Sequence, residues 1–189
     1  RLPEGAPNFL LTARLLREKG IREFVQAARI VRAEHPSARF CLLGPIDSGP
    51  LAVSRTEVEK WETDGVIEYL GHAADVRPHL AACTVFVLPS YYREGVPRSI
   101  LEAMATGRPV ITADTPGCRD TVTDGDNGFI VPPRDPDALA GAMLRFIEEP
   151  GLAKTMGERA LQIARQRFRV EHVNDLLLKE MGLLNRSAR

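Results

Sequence analysis

Two glutamates eight positions apart, Glu94 and Glu102, bracket the most chemically loaded stretch of the sequence. It reads Pro89-Ser90-Tyr91-Tyr92-Arg93-Glu94-Gly95-Val96-Pro97-Arg98-Ser99-Ile100-Leu101-Glu102-Ala103-Met104-Ala105. Gly95 permits close approach of backbone to a ligand. Pro97 suits the first turn of a helix, where a missing N–H costs nothing. A helix starting there aims unpaired N–H groups and a partial positive charge back along the chain. That arrangement binds anions, and Arg98 and Ser99 add donors. Arg14 and Lys19 are two more cations. They follow the first apolar run and flank the start of the next helix, a place that normally favours acids. Two cations there are mildly unfavourable unless they meet an anion. By spacing alone, a solvated loop, a surface helix glutamate and snorkelling surface cations account for the same residues.

Other chemistries read less well. Asp124-Gly125-Asp126 has the form of a metal-binding Asp-x-Asp pair, but it precedes Asn127-Gly128 and reads as a turn. Asp135-Pro136-Asp137 reads as a helix start. The four histidines, His35, His72, His79 and His172, have no metal-ligand spacing with the cysteines. His72 is a candidate ligand contact, with an ordinary loop histidine as the alternative. No Gly-x-Gly-x-x-Gly or Walker sequence occurs, which weakens dehydrogenase and P-loop readings. Trp61 and the Tyr91-Tyr92 pair read as packing rather than nucleic-acid stacking, with Tyr92 a further candidate for the cleft.

The elements that must hold these residues alternate. Apolar runs at residues 8–13, 39–44, 66–70, 85–88, 109–113 and, after an Asn127-Gly128 turn, 129–131 are predicted strands. Helical spacing is predicted at 20–35, 55–63, 76–83 and 97–106, then from Asp135 to the break at Pro150-Gly151, on to about Phe168, and from about Val170 to Leu184. The strands are continuous apolar runs rather than alternating ones. That predicts a doubly wound, six-stranded parallel sheet covered on both faces, an α/β fold. Ligands in such folds bind beyond the carboxyl ends of the strands. Arg14, Gly44-Pro45, Gly71-His72, residues 90–99 and residues 114–119 all follow strands. Leu176, Leu177 and Leu178 are consecutive, so the last helix is predicted to meet protein on more than one side.

Composition sets the outer limits. The chain has 189 residues, 44% hydrophobic and 26% charged, enough for one domain with a core. Lys+Arg and Asp+Glu are each 25, so a protein held on nucleic acid by a basic surface is disfavoured. The charge is segregated: both ends are basic and the middle is acidic, which reads as solvated helix faces or as a basic side facing an anion or an anionic membrane. Three cysteines close no disulfide framework and favour a reduced, cytosolic setting. No apolar run reaches the length of a transmembrane helix. The polar opening without an initiator Met reads as a piece cut from a longer chain at a linker.

These residues also carry a resemblance. Ala13-Arg14-Leu15-Leu16-Arg17-Glu18-Lys19-Gly20, Glu94-Gly95-Val96-Pro97, Glu102-Ala103-Met104-Ala105-Thr106-Gly107-Arg108-Pro109-Val110-Ile111, Pro116-Gly117-Cys118-Arg119-Asp120 and the run from Asp124 to Pro133 are together similar to the carboxy-terminal half of a family 4 retaining glycosyltransferase of the GT-B fold. The resemblance covers nearly the whole chain. Its wording is most similar to bacterial enzymes that build lipid-linked cell-surface polysaccharides. It implies transfer of a sugar from a nucleoside-diphosphate sugar to a glycan or lipid-linked acceptor, with no metal and no cofactor beyond that substrate. It implies that Arg14 and Lys19 grip the diphosphate and that Glu102 binds the ribose hydroxyls. Glu94 would be catalytic, beside the transferred sugar. Gly95, Val96, Pro97 and Arg98 would offer their available backbone N–H groups to sugar and phosphate. Gly71, His72, Ala73 and Asp75 would line the base.

A diphosphate suits cations and N–H donors, and a ribose diol suits a carboxylate acceptor. The sequence departs from the family pattern at Gly44-Pro45-Ile46-Asp47, where many relatives have Gly-x-Gly, so base contacts in that loop stay open. The resemblance further implies a donor-binding domain over 1–169. Helix 170–189 would cross back to an amino-terminal acceptor domain that is missing here. It implies a cytoplasmic protein, with peripheral contact at the inner membrane face through that domain, and no nucleic-acid partner. Such a half-enzyme would bind nucleotide without transferring sugar. The competing readings are a GT-B relative with epimerase or phosphorylase chemistry, and a non-catalytic α/β binding module.

Overall fold

The six apolar runs form six strands in the computed structural model: β1 (Asn8–Thr12), β2 (Arg39–Leu43), β3 (Glu68–Tyr69), β4 (Val85–Leu88), β5 (Val110–Ala113) and β6 (Gly128–Val131). They make one sheet in the order β3-β2-β1-β4-β5-β6, and every neighbouring pair is parallel. The helices are α1 (Ile21–Glu34), α2 (Arg55–Thr63), α3 (Arg77–Ala82), α4 (Arg98–Ala105), α5 (Pro136–Glu148) and α6 (Leu152–Arg167). The structure describes residues 2–3, 5–93, 95–149, 151–169, 174 and 177–181.

Successive side chains of a strand point to opposite faces, and here both faces are covered. Phe9, Leu11, Phe40, Leu42, Val85 and Val87 belong to one core with Phe24 and Val31 of α1 and Leu139 and Met143 of α5. Leu10, Cys41, Leu43, Phe86 and Leu88 belong to the other core, with Leu80 of α3, Ile100 and Met104 of α4 and Ala160 of α6. This two-sided burial is why the strands read as unbroken apolar runs. Phe9 stacks on Phe40 at 5.2 Å between ring centres, and Phe24 meets Phe40 edge-on at 6.0 Å.

Helix ends follow local chemistry. Ser54 and Glu57 form a capping box on α2. Asp135 accepts from Ala138 N at 2.9 Å to start α5, with Pro136 behind it. The carbonyls that end α3 are met by Arg108, whose Nε and Nη2 donate to Leu80 O and Ala81 O at 2.9 and 3.0 Å. Asn8 Nδ2 donates to Ala82 O at 3.1 Å. Arg108 is 2% exposed, so a buried guanidinium is spent on fixing a short helix.

Two expectations are corrected. The strand expected over residues 66–70 is only Glu68–Tyr69, because Gly65 and Val66 still belong to the turn off α2, bonding back to Glu62 O and Trp61 O. Val66 and Ile67 are buried all the same, which is why they read as strand. Pro97 is the extended residue before α4 rather than its first helical one, at φ −67° and ψ 122°. The expected last helix, from about Val170, falls mostly outside the described residues; Leu177 and Leu178 are described and are exposed.

Cys41, Cys83 and Cys118 are free and buried. Burial pushes the Cys41 thiol up to about 11 and the Cys83 thiol up to about 12, so both stay protonated near neutral pH and pack as apolar groups.

Candidate functional site

The strand order reverses direction at β1 and β4: the chain moves outward from β1 through β2 to β3, then returns to place β4 on the other side of β1. At such a switch point the loops after the two central strands diverge and leave a crevice at their carboxyl ends. A cleft of about 580 Å³ lies there. Thr12, Ala13, Arg14 and Lys19 line it from β1, Leu43, Gly44 and Pro45 from β2, and His72 and Ala73 from the loop after β3. Pro97, Arg98, Ser99 and Glu102 line it from the start of α4.

Backbone contacts lock these loops together. Gly44 N donates to Gly71 O at 2.7 Å, Gly44 O accepts from Tyr69 Oη at 2.8 Å, and Ala13 N donates to Leu43 O at 3.1 Å. Gly44 has φ +148°, and a Cβ there would sit 1.8 Å from Ala13 O. Only glycine lets the ends of β1 and β2 come this close. Lys19 ends a 3-10 turn, Arg17–Lys19, closed by Gly20 at φ +75°. A Cβ on Gly20 would sit 2.3 Å from Pro89 O. Beside it, Glu18 O accepts from Tyr91 N at 3.0 Å and from Ser90 Oγ at 3.2 Å, and Ser90 O accepts from Thr115 Oγ1 at 2.9 Å. The turn that carries Lys19 is thereby fixed against the loop that leads to α4.

Two side chains on the walls hold internal ion pairs. Arg14 Nη1 donates to Asp47 Oδ2 at 3.3 Å. Asp47 is itself held by Ser48 N and Gly49 N at 2.7 and 3.2 Å, so its carboxylate is the fixed partner and the arginine the movable one. On α4, Arg98 Nε donates to Glu102 Oε1 at 2.8 Å; Arg98 is 90% exposed and Glu102 32%. Lys19 Nζ stands 5.9 Å from the centre of the Tyr92 ring. α4 has no side-chain cap and no acid in its first turn, and its first residue is a cation. By the dipole rule this helix start is set for an anion from elsewhere.

The sequence-predicted residues divide. Arg14, Lys19, His72, Ala73, Pro97, Arg98 and Glu102 are brought together on one cleft. Gly71 sits just behind the wall, giving its carbonyl to Gly44. Gly95 and Val96 are exposed and outside the lining, and Tyr92 is also outside it. Asp75 lines a neighbouring cleft of about 520 Å³ with Arg77 and Leu80. Arg77 binds it through Nε and Nη2, both at 2.8 Å, and this pairing holds the Asp75 carboxyl at about 2. Glu94 lies outside the described residues. The turn reading of Asp124-Gly125-Asp126 agrees with the structure: Asp124 Oδ1 accepts from Ile130 N at 2.8 Å, and Asp126 takes two bonds from Arg159 at 2.9 and 3.0 Å.

Sequence reasoning missed Asp47 as the partner of Arg14. The run Asp47-Ser48-Gly49 does carry a signal, because an aspartate followed by such residues folds back on its own backbone.

The cleft therefore offers cations and helix N–H groups at one point and a carboxylate acceptor four residues, about 6 Å, further along α4. That pairing suits a molecule with phosphates at one end and vicinal hydroxyls beside them.

The chain is similar to known proteins in sequence and in structure. The chain is 31% identical over 160 residues to N,N'-diacetylbacillosaminyl-diphospho-undecaprenol alpha-1,3-N-acetylgalactosaminyltransferase of Campylobacter jejuni, covering 85% of this chain and 40% of that protein. It is 29% identical over 181 residues to the lipopolysaccharide core biosynthesis glycosyltransferase LpsE of Rhizobium meliloti, covering 94% of this chain and 50% of that protein. In structure it is similar to Anabaena Alr3699/HepE in complex with UDP, with a TM-score of 0.80 and 25% identity, covering 94% of this chain and 49% of that one. The chain thus spans half or less of the length of these relatives. Residues 6–149 match the family described as glycosyl transferases group 1. With that match running from before β1 to the end of α5, the chain belongs to the glycosyl transferases group 1 family.

Proposed function

We propose that this chain is the donor-binding half of a retaining glycosyltransferase of bacterial surface-polysaccharide synthesis. The observation that carries the reading is the convergence of Arg14, Lys19, the start of α4 and Glu102 on one cleft at the switch point. The donor is a nucleoside-diphosphate sugar. Arg14, Lys19 and the N–H groups of α4 take the diphosphate, where negative charge grows as the bond to the sugar breaks. Donors already aimed at that charge lower the barrier without reorganising. Glu102 takes the ribose hydroxyls, and His72 and Ala73 border the base. Glu94 enters from the sequence alone, as the group beside the transferred sugar. The relative bound to UDP and the relative named for a diphospho-undecaprenol acceptor support this choice of donor and acceptor class.

The acceptor half is assigned to a partner domain across the cleft. Among the described residues no helix is long and apolar enough to cross a membrane. Contact with a lipid-linked acceptor at the inner membrane face is assigned to that domain. Transfer requires both reactants in near-attack geometry and a closed, dry cleft. This chain alone is therefore expected to bind nucleotide and not to transfer. Incubation with radiolabelled sugar nucleotide and a lipid-linked acceptor, beside the full-length enzyme, checks this. Transfer by the fragment at a comparable rate would refute the half-enzyme reading.

The positive field here comes from side chains and a helix start, so EDTA is expected to leave nucleotide affinity unchanged. A strict Mg²⁺ or Mn²⁺ requirement for binding would contradict that. Glu102→Gln is expected to reduce discrimination between ribose and 2′-deoxyribose nucleotides, because a neutral amide is the weaker acceptor for two hydroxyl protons. If the wild-type chain binds both nucleotides equally, Glu102 has another job.

A further inference from the structure

We propose that Arg98 is a shuttle whose side chain masks Glu102 until a diphosphate draws it away. The proposal rests on the reading of Glu102 as the ribose acceptor. Its observations are separate. Arg98 Nε donates to Glu102 Oε1 at 2.8 Å, engaging one oxygen of the carboxylate meant for the diol. Arg98 is 90% exposed, so its guanidinium is free to move, while Glu102 is the better-buried partner at 32%. Both residues line the main cleft, its neighbour beside Asp75 and a third groove with Leu161 and Phe168, so the pair stands where the three meet.

The pair is also badly oriented for helix stability. The cation is at the first position of α4, against the dipole, and the acid follows it. An exposed pair of this spacing contributes little to stability. It is therefore easily exchanged for a stronger partner. A diphosphate at the start of α4 is such a partner, because a charge-assisted bond to phosphate exceeds an exposed i,i+4 pair. Moving the guanidinium one helical turn toward the amino end releases Oε1 of Glu102, so that both oxygens are available to a diol. Phosphate recognition and ribose recognition are then coupled through one side chain, and a nucleoside without phosphates meets an acceptor with one oxygen already engaged.

Coupling of this kind gives opposite signs for two ligands of the same site. Calorimetric titrations of uridine and of UDP are compared in the wild-type chain, Arg98→Ala and Arg98→Gln. Arg98 is exposed, so both variants are expected to fold as the wild type does. UDP is expected to bind about tenfold more weakly in both variants, from the lost charge-assisted bond. Uridine is expected to bind about twofold more tightly, from the unmasked carboxylate. Uridine affinity that stays level or falls overturns the masking, and UDP affinity that stays level overturns the shuttle. Titrations of 2′-deoxyuridine and of Glu102→Gln separate this from the underlying reading. Equal wild-type binding of uridine and 2′-deoxyuridine would sink the ribose assignment and the proposal with it. A clear ribose preference with no sign reversal would sink the shuttle alone.

Discussion

Gly44→Ala is expected to cost the chain both stability and nucleotide binding. The residue has φ +148°, and the added carbon would stand 1.8 Å from the backbone oxygen of Ala13. No side chain can swing away to relieve that overlap, because the obstacle is main chain. The ends of β1 and β2 must separate, and the hydrogen bonds from Gly44 N to Gly71 O and from Ala13 N to Leu43 O lie in the way. The backbone strain and the forced displacement together are expected to cost about 3 kcal/mol or more. For a chain of this size that lowers Tm by roughly 6–12 °C. Gly65→Ala is the control. It has φ +69° but nothing within 4 Å of the added carbon, so it carries backbone strain alone, about 1 kcal/mol. Calorimetric melting of both variants checks this, and equal losses would show that the contact at Ala13 is not the cause. The functional consequence follows from sequence position. Ala13 precedes Arg14, so separating the strand ends moves the cation on the cleft wall.

Arg14→Ala and Lys19→Ala are each expected to weaken binding of a nucleoside diphosphate by about tenfold or more. Each removes a charge-assisted hydrogen bond worth roughly 1.5–3 kcal/mol, and 1.4 kcal/mol is a factor of ten. The loss is expected to be greater for UDP than for UMP, since the second phosphate brings the charge these residues meet. For Arg14 the net loss is reduced by its bond to Asp47, which it already makes in this structure at 3.3 Å. Isothermal titration of both nucleotides into each variant measures these differences. Unchanged affinity in both variants would remove the diphosphate assignment.

Much of the fold was legible because burial on both faces leaves a plain mark. Val85–Leu88 is four apolar residues between Thr84 and Pro89, and it is a strand over that very span. Asp135-Pro136 announced α5, because a cap and a proline at the first turn are local chemistry. β3 was read too long because it is an edge strand with one partner, β2, and Val66 and Ile67 are buried by packing rather than by pairing.

The site was legible to the extent that its residues follow strands. Arg14, Lys19 and Glu102 lie far apart in sequence, yet strand order sends them to one cleft. Asp75 shows a local effect instead: it pairs with Arg77, two residues on, and lines the neighbouring cleft. The tight approach of Gly44 to Ala13 was not legible, because it depends on the register that sets Thr12 beside Leu43. Nor was the Arg14–Asp47 pair, since it joins two loops 33 residues apart whose geometry no local pattern fixes.

The most direct test of the central claim is a titration of the isotopically labelled 189-residue chain with UDP in EDTA, followed by amide NMR. Saturable shifts are predicted for Ala13, Arg14 and Lys19, for His72 and Ala73, and for Arg98, Ser99 and Glu102, with strands at the far end of the sheet unmoved. Shifts confined to another surface, such as the groove of Gly107, Lys154 and Glu158 at the far end of α4, or no saturable shift with UDP, GDP or ADP, would contradict it.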